Sequence, residues 1–515
     1  MNGSGSGLPN NLGDLITRAG IGDRLVLVDL RIPASPVEIN ATEFDRRIKA
    51  FAHYLSTMRV KPGQRVGFLS GNCWEFLIAY LGTMYCGAVA VPINHKFPRK
   101  TIKYIIKDSD IGLLFHDQER QALVPDHVRS LNLDQPDLWQ FDDSILQAVD
   151  AYEPGQDSIA EILYTSGSTG VPKGVPLTHS GQLWALSKYL EPIEQEDTAS
   201  GANIIVAPLY HMNAIVFCSA SLLNASTVIL QPVFDAAAFA RAAVQYGCSY
   251  LSGIPTMFAM VAALDESDRP NGLDCVKEIA IGSAPLSNAL LNQIRAIFPS
   301  AEITNGYGST EAGPAIFGSH PDGIPQPTLS IGYPYAEVQW RLTGGASPNE
   351  GELELTTPAL AAAYLNRPDA DRERFADGWY KSGDIMRRDE NGFMYFVSRA
   401  DDMFVCGGEN IFPGEVEALL NLHPQVQESL VTSAPDDIKG VVPVAFVVPV
   451  PGTRPDEEIL KQFCLDNAPA YAHPRKILFK DVLPVGGTLK IDRRVLKAEA
   501  AAWMVKIGRS TETNG

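Results

Sequence analysis

The chain is 515 residues long and 45% hydrophobic, which predicts two or more domains with sizeable apolar cores. It carries 42 basic and 60 acidic residues, and the resulting formal net charge of -18 disfavours nucleic acid or an anionic membrane as a partner. The seven cysteines lack metal-binding spacing and no long uncharged apolar run occurs, so we expect a cytoplasmic protein with reduced thiols and no membrane insertion.

Strand and helix patterns alternate through the first part of the chain. Apolar strands are predicted at residues 25–30, 65–69, 88–92 and 111–115, with helices at 44–55, 74–84 and 99–107 between them. Thr42 and Asp45 are predicted to cap the first of these helices. Strands that alternate with helices predict an α/β fold with a parallel, doubly wound sheet.

The stretch from Tyr164 to Gly174 combines three glycines, several hydroxyl side chains and one lysine, without a carboxylate. Glycines let the backbone approach an anion closely, hydroxyls donate to phosphate oxygens, and a lysine adds positive charge. The stretch therefore predicts a phosphate-binding loop with the candidate residues Thr165, Ser166, Gly167, Ser168, Thr169, Gly170 and Lys173. It is not a Walker loop, because a proline precedes the lysine and an apolar run follows it. A plain Gly/Ser hairpin is the alternative, but a turn does not require the Pro-Lys-Gly ending.

Two carboxylates further along the chain stand in turn-like contexts. A carboxylate beside a phosphate site repels it unless a hard cation lies between them, so Glu311 predicts a magnesium ligand. Asp384 suits a group that accepts hydrogen bonds from ribose hydroxyls. On local sequence alone, an exposed loop glutamate and a turn aspartate are the plainer alternatives.

A polar segment separates a strand pattern at residues 393–397 from a smaller α/β unit, in which helices are predicted at 415–422 and 456–467 and an apolar strand at 441–448. The two ends of the chain are rich in small polar residues and are expected to be disordered. The predicted division is a tail at 1–15, an N-terminal domain at 16–399, a linking segment at 400–402, a C-terminal domain at 403–508 and a tail at 509–515.

Five motifs follow one another in order. After the loop at 164–174 come Asn305-Gly306-Tyr307-Gly308-Ser309-Thr310-Glu311, Tyr380-Lys381-Ser382-Gly383-Asp384, Arg399-Ala400-Asp401-Asp402 and Gly407-Gly408-Glu409-Asn410, with Lys490 last. Over about residues 20–500 this series resembles the adenylate-forming superfamily, and in particular its acyl- and aryl-CoA ligase branch. The resemblance implies a large N-terminal AMP-binding region of several α/β subdomains, a hinge at 400–402 and a small mobile C-terminal α+β domain.

The resemblance also implies a role for each motif residue. ATP or AMP would contact the phosphate loop together with Ser283, Ala284, Pro285, Asn305, Gly306, Tyr307, Gly308, Thr310, Asp384 and Arg399. The ring of Tyr307 would face the adenine, and Glu311 would hold Mg²⁺. Asp401 would be the hinge pivot, and the channel for coenzyme A would pass Gly407 and Gly408.

Lys490, His211 and Thr310 are the catalytic residues that the resemblance implies. Lys490 would draw the substrate carboxylate and the α-phosphate together and stabilise charge in the transition state. Its surroundings depart from the family pattern, because Leu489 stands where a glycine is usual. His211 would gate the acid pocket or orient the carboxylate, and Thr310 would touch the α-phosphate.

The acid pocket implied by the resemblance is mostly apolar. Its candidate residues are Trp184, His211, Met212, Phe258, Gly308 and Gly313. Such a lining favours a flat aromatic or cyclic acid, or a medium-length aliphatic chain, over acetate or a polar amino acid. Asp235 is not assigned to an α-amino group, because it belongs to a Phe-Asp pair common across these ligases.

The predicted activity is ATP-dependent ligation of a carboxylic acid to coenzyme A. The acid and ATP would give an acyl-adenylate and pyrophosphate, and coenzyme A would then displace AMP. The predicted partners are the acid, ATP, Mg²⁺ and coenzyme A, and a homodimer is an allowed assembly. Two alternatives stay open: an adenylating enzyme that loads a carrier protein, and a catalytically idle nucleotide-binding regulator. The retention of Lys173, Glu311, Asp384, Arg399 and Lys490 argues against the idle regulator.

Overall fold

The computed structural model describes residues 8–16, 20, 22–141, 149–165, 171–190, 201–284, 286–406, 409–436, 439–468, 472–486 and 490–512, with the backbone alone at 346, 410 and 504–512. Within these ranges the chain forms two large sheets with their helices, a third antiparallel sheet, and a smaller C-terminal unit. No helix in the described ranges combines the length and the apolar composition needed to cross a bilayer.

The N-terminal elements form the first large sheet and contribute two strands to the second. In chain order these are β1 (Leu25–Asp29), β2 (Val37–Asn40), α1 (Ala41–Thr57), β3 (Arg65–Leu69), α2 (Trp74–Tyr85), β4 (Val89–Pro92), α3 (Arg99–Asp108), β5 (Ile111–His116), β6 (Ser130–Asn132), β7 (Ile159–Thr165), β8 (Lys173–Thr178) and α4 (His179–Leu190). Six of the strands form a sheet in the order β6-β5-β3-β4-β7-β8. Neighbouring strands are parallel except β8, which runs antiparallel to β7.

The second large sheet includes β1 and β2 and the elements that follow α4. These are β9 (Ala202–Ile205), α5 (Met212–Leu223), β10 (Thr227–Leu230), α6 (Ala236–Gln245), β11 (Cys248–Gly253), α7 (Pro255–Ala262), β12 (Glu278–Gly282), α8 (Asn288–Ile297) and β13 (Glu302–Gly306). The seven strands lie in the order β13-β12-β11-β9-β10-β1-β2. All neighbours are parallel except β2, which pairs antiparallel with β1.

The largest core lies between the two sheets, where α1, α2, α4 and α5 pack. Every residue of α2 is buried, as expected of a helix that has a sheet on either side. Helix α3 covers the outer face of the first sheet, while α6, α7 and α8 cover the outer face of the second. These five layers confirm the predicted doubly wound α/β fold.

An antiparallel sheet follows the two parallel ones. A two-stranded pair comes first, β14 (Phe317–Gly318) with β15 (Tyr333–Pro334). The elements of the larger sheet are β16 (Gln339–Ser347), β17 (Glu350–Thr356), α9 (Pro368–Arg374), β18 (Phe375–Ala376), β19 (Trp379–Arg388) and β20 (Met394–Arg399). The order is β16-β17-β19-β18, with β20 paired to β19. Its core includes Ala312 and Ile316, which connects it to the turn after β13.

The C-terminal unit is a small α+β structure with its own apolar clusters. Its elements are β21 (Phe404–Cys406), β22 (Glu409–Ile411), α10 (Pro413–Leu420), β23 (Val426–Asp436), β24 (Gly440–Pro449), α11 (Glu457–Asn467), β25 (Lys476–Phe479) and α12 (Arg493–Glu512). Strands β23, β24 and β25 form one sheet in that order, and β21 with β22 forms a hairpin. This unit confirms the predicted combination of a large N-terminal region with a smaller C-terminal domain.

The predicted N-terminal tail at 1–15 is too long. Leu12, Leu15 and Ile16 are buried in the core between the two sheets. Asn11 Nδ2 donates to the carbonyl oxygen of Met84 at 3.0 Å. The tail is shorter than predicted because the polar stretch ends at Asn11, and Leu12 and Leu15 after it pack in the core that contains α2. Residues 1–7 lie outside the described ranges.

Two predicted helix ends also need correction. Helix α1 is capped by Asn40, whose Oδ1 accepts a hydrogen bond from the Glu43 backbone N–H at 2.8 Å, and not by Thr42. The cap moves two residues because Thr42 is itself inside the first helical turn. At the other end, α12 runs through Glu512, so the segment 509–512 is helical and not a tail.

Candidate active site

Asp384 and Arg399 face each other across two antiparallel strands, as register partners in β19 and β20. Arg399 Nη1 donates to Asp384 Oδ1 at 2.6 Å, and the Tyr307 hydroxyl donates to Asp384 Oδ2 at 2.5 Å. The backbone N–H of Asp384 donates to Ser382 Oγ at 3.1 Å. The residues predicted to contact adenine and ribose and the arginine that begins the 399–402 motif therefore form one hydrogen-bonded cluster.

Burial and charge act in opposite directions on this cluster. Asp384 is 6% exposed, and burial raises the pKa of its carboxyl, while the adjacent Arg399 guanidinium limits that rise. For Arg399, burial is the largest single influence and lowers the pKa of the guanidinium. The charge and hydrogen bond of Asp384, together with the charge of Asp401, outweigh burial, and the net shift is upward. The ion pair thus favours the charged form of both groups, and a charged carboxylate is the acceptor that ribose hydroxyls need.

Lys173 and Glu311 meet at a third residue, Tyr364. Lys173 is the first residue of β8 and is only 5% exposed. Its ammonium nitrogen lies 4.8 Å from the centre of the Tyr364 ring, and the Tyr364 hydroxyl donates to Glu311 Oε1 at 2.9 Å. The lysine predicted to bind phosphate and the carboxylate predicted to bind metal are therefore brought to one place.

The phosphate loop connects β7 to β8. Thr165, the last residue of β7, is the register partner of Lys173. The hairpin therefore holds the two ends of the loop side by side. The predicted residues Ser166, Gly167, Ser168, Thr169, Gly170, Pro285, Gly407 and Gly408 lie outside the described residues, and their roles stay predictions.

The residues predicted around the adenine follow the ends of two parallel strands. Gly282 ends β12, Gly306 ends β13, and the two are register partners. A Cβ at Gly282 would lie 3.1 Å from the Gly306 carbonyl oxygen, so the two strand ends are close. Ser283, which precedes Ala284, has φ +66°, an unusual value for serine. Asn305 Nδ2 donates to a loop carbonyl oxygen at 3.2 Å. Strained backbone at the carboxyl ends of parallel strands is typical of ligand sites.

Gly308 and Gly313 shape the turn that carries Thr310 and Glu311. Ser309 and Gly313 exchange backbone hydrogen bonds of 3.1 and 2.9 Å. Gly313 has φ +94°, and a Cβ at either glycine would lie 2.7 Å from a neighbouring atom. The turn therefore requires glycine at both positions, and it presents Thr310 and Glu311 between them.

Lys490 lies close enough to His211 for its charge to act on the imidazole. Burial, followed by the charges of Lys490 and Lys96, lowers the pKa of His211 to about 4, so the ring is neutral at pH 7. Among the described residues, nothing hydrogen-bonds to the buried His211 Nε2. Burial also lowers the pKa of Lys490, although the residue is exposed to solvent.

Trp184 and Met212 occupy two different edges of the predicted acid pocket. Trp184, in α4, packs against Ala315 and Ala359 and beside the cluster that contains Ala312. The indole is thereby placed next to the turn with the two required glycines. Met212 is the first residue of α5, directly after His211, and packs against the core between the sheets. That these edges enclose one pocket stays a prediction.

Phe258 is placed in the core and not beside Trp184. It is 1% exposed, and its ring packs against those of Phe239 and Phe298 with centroids 6.3 Å apart in each case. This cluster lies on the outer face of the second sheet. A phenylalanine on a helix can face the core or a pocket with the same local sequence, and here it faces the core. Asp235 caps α6 through a 2.7 Å hydrogen bond, a structural role.

Two neighbouring aspartates contact opposite parts of the chain. Asp401, the predicted hinge pivot, accepts hydrogen bonds from Arg374 Nη2 at 3.0 Å and from Arg399 Nη2 at 3.5 Å, both in the N-terminal region. Asp402 lies 3.6 Å from Arg493 Nε, which belongs to α12 of the C-terminal domain. The change from N-terminal to C-terminal contacts therefore falls between two consecutive residues of a short 3-10 turn. The hinge role itself stays a prediction.

Sequence reasoning missed Tyr364 and Arg374. Tyr364 joins Lys173 to Glu311, and Arg374 holds Asp401. Tyr364 stands in no glycine-rich or charged motif, and Arg374 is one of several charged residues in the segment 369–374, so no local pattern singled out either residue. The one available signal was an aromatic residue between small and polar neighbours in a segment with no strand or helix periodicity.

Comparison with known families gives an independent assignment. The profile of the AMP-binding enzyme family matches residues 19–365, and the profile of the AMP-binding enzyme C-terminal domain matches residues 415–490. The chain belongs to the AMP-binding enzyme family. The predicted resemblance to adenylate-forming enzymes is thereby confirmed.

Curated relatives of this AMP-binding enzyme are acid–CoA ligases. A feruloyl-CoA synthase from Amycolatopsis sp is 32% identical over 460 residues, covering 87% of this chain and 91% of the relative. A 2-succinylbenzoate–CoA ligase from Bacillus thuringiensis subsp. konkukian is 30% identical over 468 residues, covering 89% and 93%. A long-chain-fatty-acid–CoA ligase from Mycobacterium tuberculosis is 28% identical over 488 residues, covering 92% and 95%.

Solved structures show the same fold. An anthranilate CoA ligase in complex with anthranoyl-AMP has a TM-score of 0.83 at 23% identity, covering 97% of this chain and 98% of that one. An o-succinylbenzoate CoA synthetase from Bacillus subtilis, in complex with its acyl-adenylate intermediate, has a TM-score of 0.79 at 24% identity, covering 95% and 98%. The predicted fold is confirmed by these structures, and the predicted enzyme class, an AMP-forming acid–thiol ligase, by the family match and the curated relatives.

Proposed function

We propose that this AMP-binding enzyme joins an aromatic carboxylic acid to coenzyme A through an acyl-adenylate. The observation that carries the proposal is that Lys490, from the predicted C-terminal domain, lies near His211 of the N-terminal region. A cation from the C-terminal domain thereby stands at the end of the site where the acid is predicted. Asp384 and Arg399 form the nucleotide end. This arrangement supports a reaction in which a carboxylate meets a phosphate.

In the first step the acid reacts as an anion. A carboxylic acid is already ionised at neutral pH, so no general base is required. A pKa lowered to about 4 makes the His211 imidazole a weak base, which agrees with that. A carboxylate oxygen bonds to the α-phosphorus, the bond to the pyrophosphate oxygen breaks, and pyrophosphate leaves. Lys490 stabilises the negative charge on the α-phosphate oxygens during this exchange.

In the second step the sulfur of coenzyme A bonds to the acyl carbon and AMP leaves, while the thiol proton passes to solvent. We place a rotation of the C-terminal domain, 403–508, about Asp401 between the two steps, so that Lys490 withdraws and the thiol enters. The contacts of Asp401 and Asp402 with opposite domains support this position for the pivot. The thiol would approach along Gly407 and Gly408.

Glu311 fits a magnesium ion. One of its carboxylate oxygens accepts the Tyr364 hydroxyl, and within the described residues the other accepts no hydrogen bond. A carboxylate oxygen is the ligand type that Mg²⁺ takes beside phosphates. Bound there, the ion would neutralise charge on the phosphate chain. Thr165, Lys173 and Thr310 would supply protein donors to the same phosphates.

An aromatic acid is supported by the predicted pocket and by the relatives. Trp184 packs beside the 308–314 turn, and the Tyr189 hydroxyl donates to the Pro314 carbonyl oxygen at 3.1 Å, so two rings of α4 stand next to that turn. The names of two relatives specify feruloyl and 2-succinylbenzoate groups, and a solved structure contains anthranoyl-AMP. All three groups contain a benzene ring. A third relative acts on long-chain fatty acids, which makes these the main competing substrates to test.

The proposal is tested by pyrophosphate release with ATP and magnesium against benzoates, cinnamates, cyclic acids and fatty acids, each with and without coenzyme A. We expect release with aromatic acids and a clear increase when coenzyme A is present. Release that coenzyme A does not increase would indicate loading of a carrier protein instead. Absence of release with every acid would leave the idle nucleotide-binding regulator as the explanation.

Replacing the catalytic lysine separates the two steps. Lys490→Ala is expected to slow pyrophosphate release at least about a hundredfold, since a single electrostatic contact at a transition state commonly contributes about 2.7 to 4 kcal/mol. Thioester formation from a synthetic acyl-adenylate should stay within about threefold, because that step does not use the lysine. Lys480→Ala is the matched control: this lysine of the same domain pairs with Glu499 at 2.7 Å and should leave both steps unchanged. Equal loss of both steps in Lys490→Ala would contradict the assignment.

A further inference from the structure

Tyr364 connects two groups of opposite charge that the proposed reaction needs separately. Its ring faces the Lys173 ammonium at 4.8 Å, and its hydroxyl donates to Glu311 Oε1 at 2.9 Å. Tyr364 is 5% exposed, so both contacts lie out of bulk water. Electrostatic contacts of this kind are stronger when water is excluded.

The backbone around Tyr364 is fixed to both neighbours as well. The Ala361 backbone N–H donates to the Glu311 carbonyl oxygen, and the Leu365 backbone N–H donates to the Gly174 carbonyl oxygen, each at 2.8 Å. The segment 361–365 therefore spans from the metal-binding turn to the strand that begins with the lysine. Its position is set by hydrogen bonds that do not involve the tyrosine side chain.

Packing orients the Tyr364 ring. Phe375 stands edge-on to it, with centroids 5.3 Å apart and planes at 72°. The Tyr364 backbone N–H donates to Asp371 Oδ1 at 2.7 Å. A phenol ordinarily ionises only at about pH 10, so at neutral pH the hydroxyl is a donor.

A neutral ring between a lysine and a glutamate has a specific consequence. Lys173 and Glu311 form no ion pair with each other or with any other described residue, although both touch Tyr364. If the ring were absent, the ammonium and the carboxylate that now contact it would be free to move towards each other. A closed pair would withdraw the lysine from the phosphates and the carboxylate from the metal.

We propose that Tyr364 is a positioning residue that holds Lys173 and Glu311 side by side while preventing them from neutralising each other. The inference rests on the proposed function for its ligands, ATP and a divalent cation. The face of the ring serves the cation and the hydroxyl serves the carboxylate, so the two contacts can be removed one at a time.

Equilibrium binding of ATP, measured by calorimetry without acid or coenzyme A, tests this role. In EDTA the wild type and Tyr364→Phe should bind ATP within about twofold of each other, because the ring that faces Lys173 is kept. The tightening of ATP binding by magnesium should fall about three- to tenfold in Tyr364→Phe, because Glu311 loses its donor. Tyr364→Leu should weaken binding in EDTA as well, about tenfold.

A double-mutant cycle distinguishes separation of charges from general damage. If Glu311 captures Lys173 in Tyr364→Leu, then adding Glu311→Gln should improve ATP binding in EDTA at least about threefold more in that variant than in the wild type. Damage to the fold would not be repaired by removing a carboxylate. The matched control is Tyr395→Phe, which removes a hydroxyl of the antiparallel sheet that donates to Asp389 Oδ2 at 3.0 Å. It should change neither binding constant.

Three results would overturn the inference: unchanged binding in Tyr364→Leu, an additive cycle, or equal effects of Phe and Leu in EDTA. Failure of the proposed ligase reaction gives a different pattern, in which the wild type binds ATP and the variants behave as described but no acid supports pyrophosphate release. A wild type that binds no ATP would overturn both.

Discussion

Two buried carboxyl groups in this enzyme accept a tyrosine hydroxyl at the same distance but differ in their charged neighbours. Tyr307 donates to Asp384, and Tyr80 donates to Glu161, each at 2.5 Å. Asp384 also has Arg399 at 2.6 Å. Among the described residues, no lysine, arginine or histidine pairs with Glu161, which is 1% exposed on β7.

The arginine decides what each carboxyl group can do. Burial raises the pKa of both groups, but at Asp384 the guanidinium opposes the rise. At Glu161 only the Tyr80 hydrogen bond opposes it, and the pKa rises to about 7. Arg399 therefore favours the ionised, hydrogen-bond-accepting form of Asp384, whereas Glu161, without a cation beside it, is a proton-binding group inside the core.

The same chemical change at the two carboxyls should have opposite consequences. Asp384→Asn is expected to weaken ATP binding about 10- to 100-fold, because charge-assisted hydrogen bonds to the ribose are lost and Arg399 loses its partner. Calorimetric titration with ATP measures the effect. Glu161→Gln is the matched control and should leave the ATP dissociation constant within about twofold. A similar loss in both variants would break the comparison.

Glu161→Gln should instead change the pH dependence of stability. The folded-state pKa, about 7, lies above the ordinary value of 4.5, so between these pH values the folded protein holds a proton that the unfolded chain has lost. The free energy of unfolding therefore falls as pH rises, by about 2 kcal/mol between pH 5 and pH 7 from this group alone.

In Glu161→Gln this contribution is absent, so the variant should be the more stable protein at pH 8 and close to the wild type at pH 4. Denaturant midpoints measured across that pH range give the comparison. Parallel pH profiles for the two proteins would mean that Glu161 does not hold a proton in the fold.

Removing the tyrosine hydroxyls should give the smallest effects. Tyr80→Phe leaves Glu161 without its donor and should lower the free energy of unfolding by about 1 to 2 kcal/mol, with a further rise in the pKa of the carboxyl. Tyr307→Phe should lower stability less, because Arg399 still holds Asp384. Thermal unfolding of both variants measures the order. The reverse order would show that the arginine does not support its carboxylate.

The sequence predicted the order and type of most elements because apolar periodicity is a local signal. Strand β3 and helix α2 begin where the pattern predicts them. The predicted cap of α1 is wrong because Thr42 and Asn40 are both good capping residues. Which of them caps the helix depends on where the helical backbone begins. Element type is thus local, while element ends depend on hydrogen bonds that the pattern does not encode.

The sequence predicted those residues of the candidate site that stand in a recognisable motif. The structure joins Tyr307, Asp384 and Arg399 into one cluster, as the order of the motifs suggested. Tyr364 was missed because its importance comes from sheet register and segment packing, which bring Lys173 and Glu311 together only in three dimensions. Phe258 was assigned to the pocket because a large apolar side chain suits a pocket wall as well as a core. The sequence does not show which of the two its side of the helix faces.

The consecutive aspartates at the domain boundary set an energy scale for the proposed rotation. Asp401 and Asp402 are partly exposed, as are Arg399 and Arg493, and ion pairs of this kind contribute roughly 0.2 to 1 kcal/mol each. Together these three ion pairs contribute at most a few times the thermal energy. Ion pairs this weak can break and reform in every catalytic cycle. Because the charges are accessible to solvent, higher ionic strength would weaken the pairs and shorten the time that the domains spend in this arrangement.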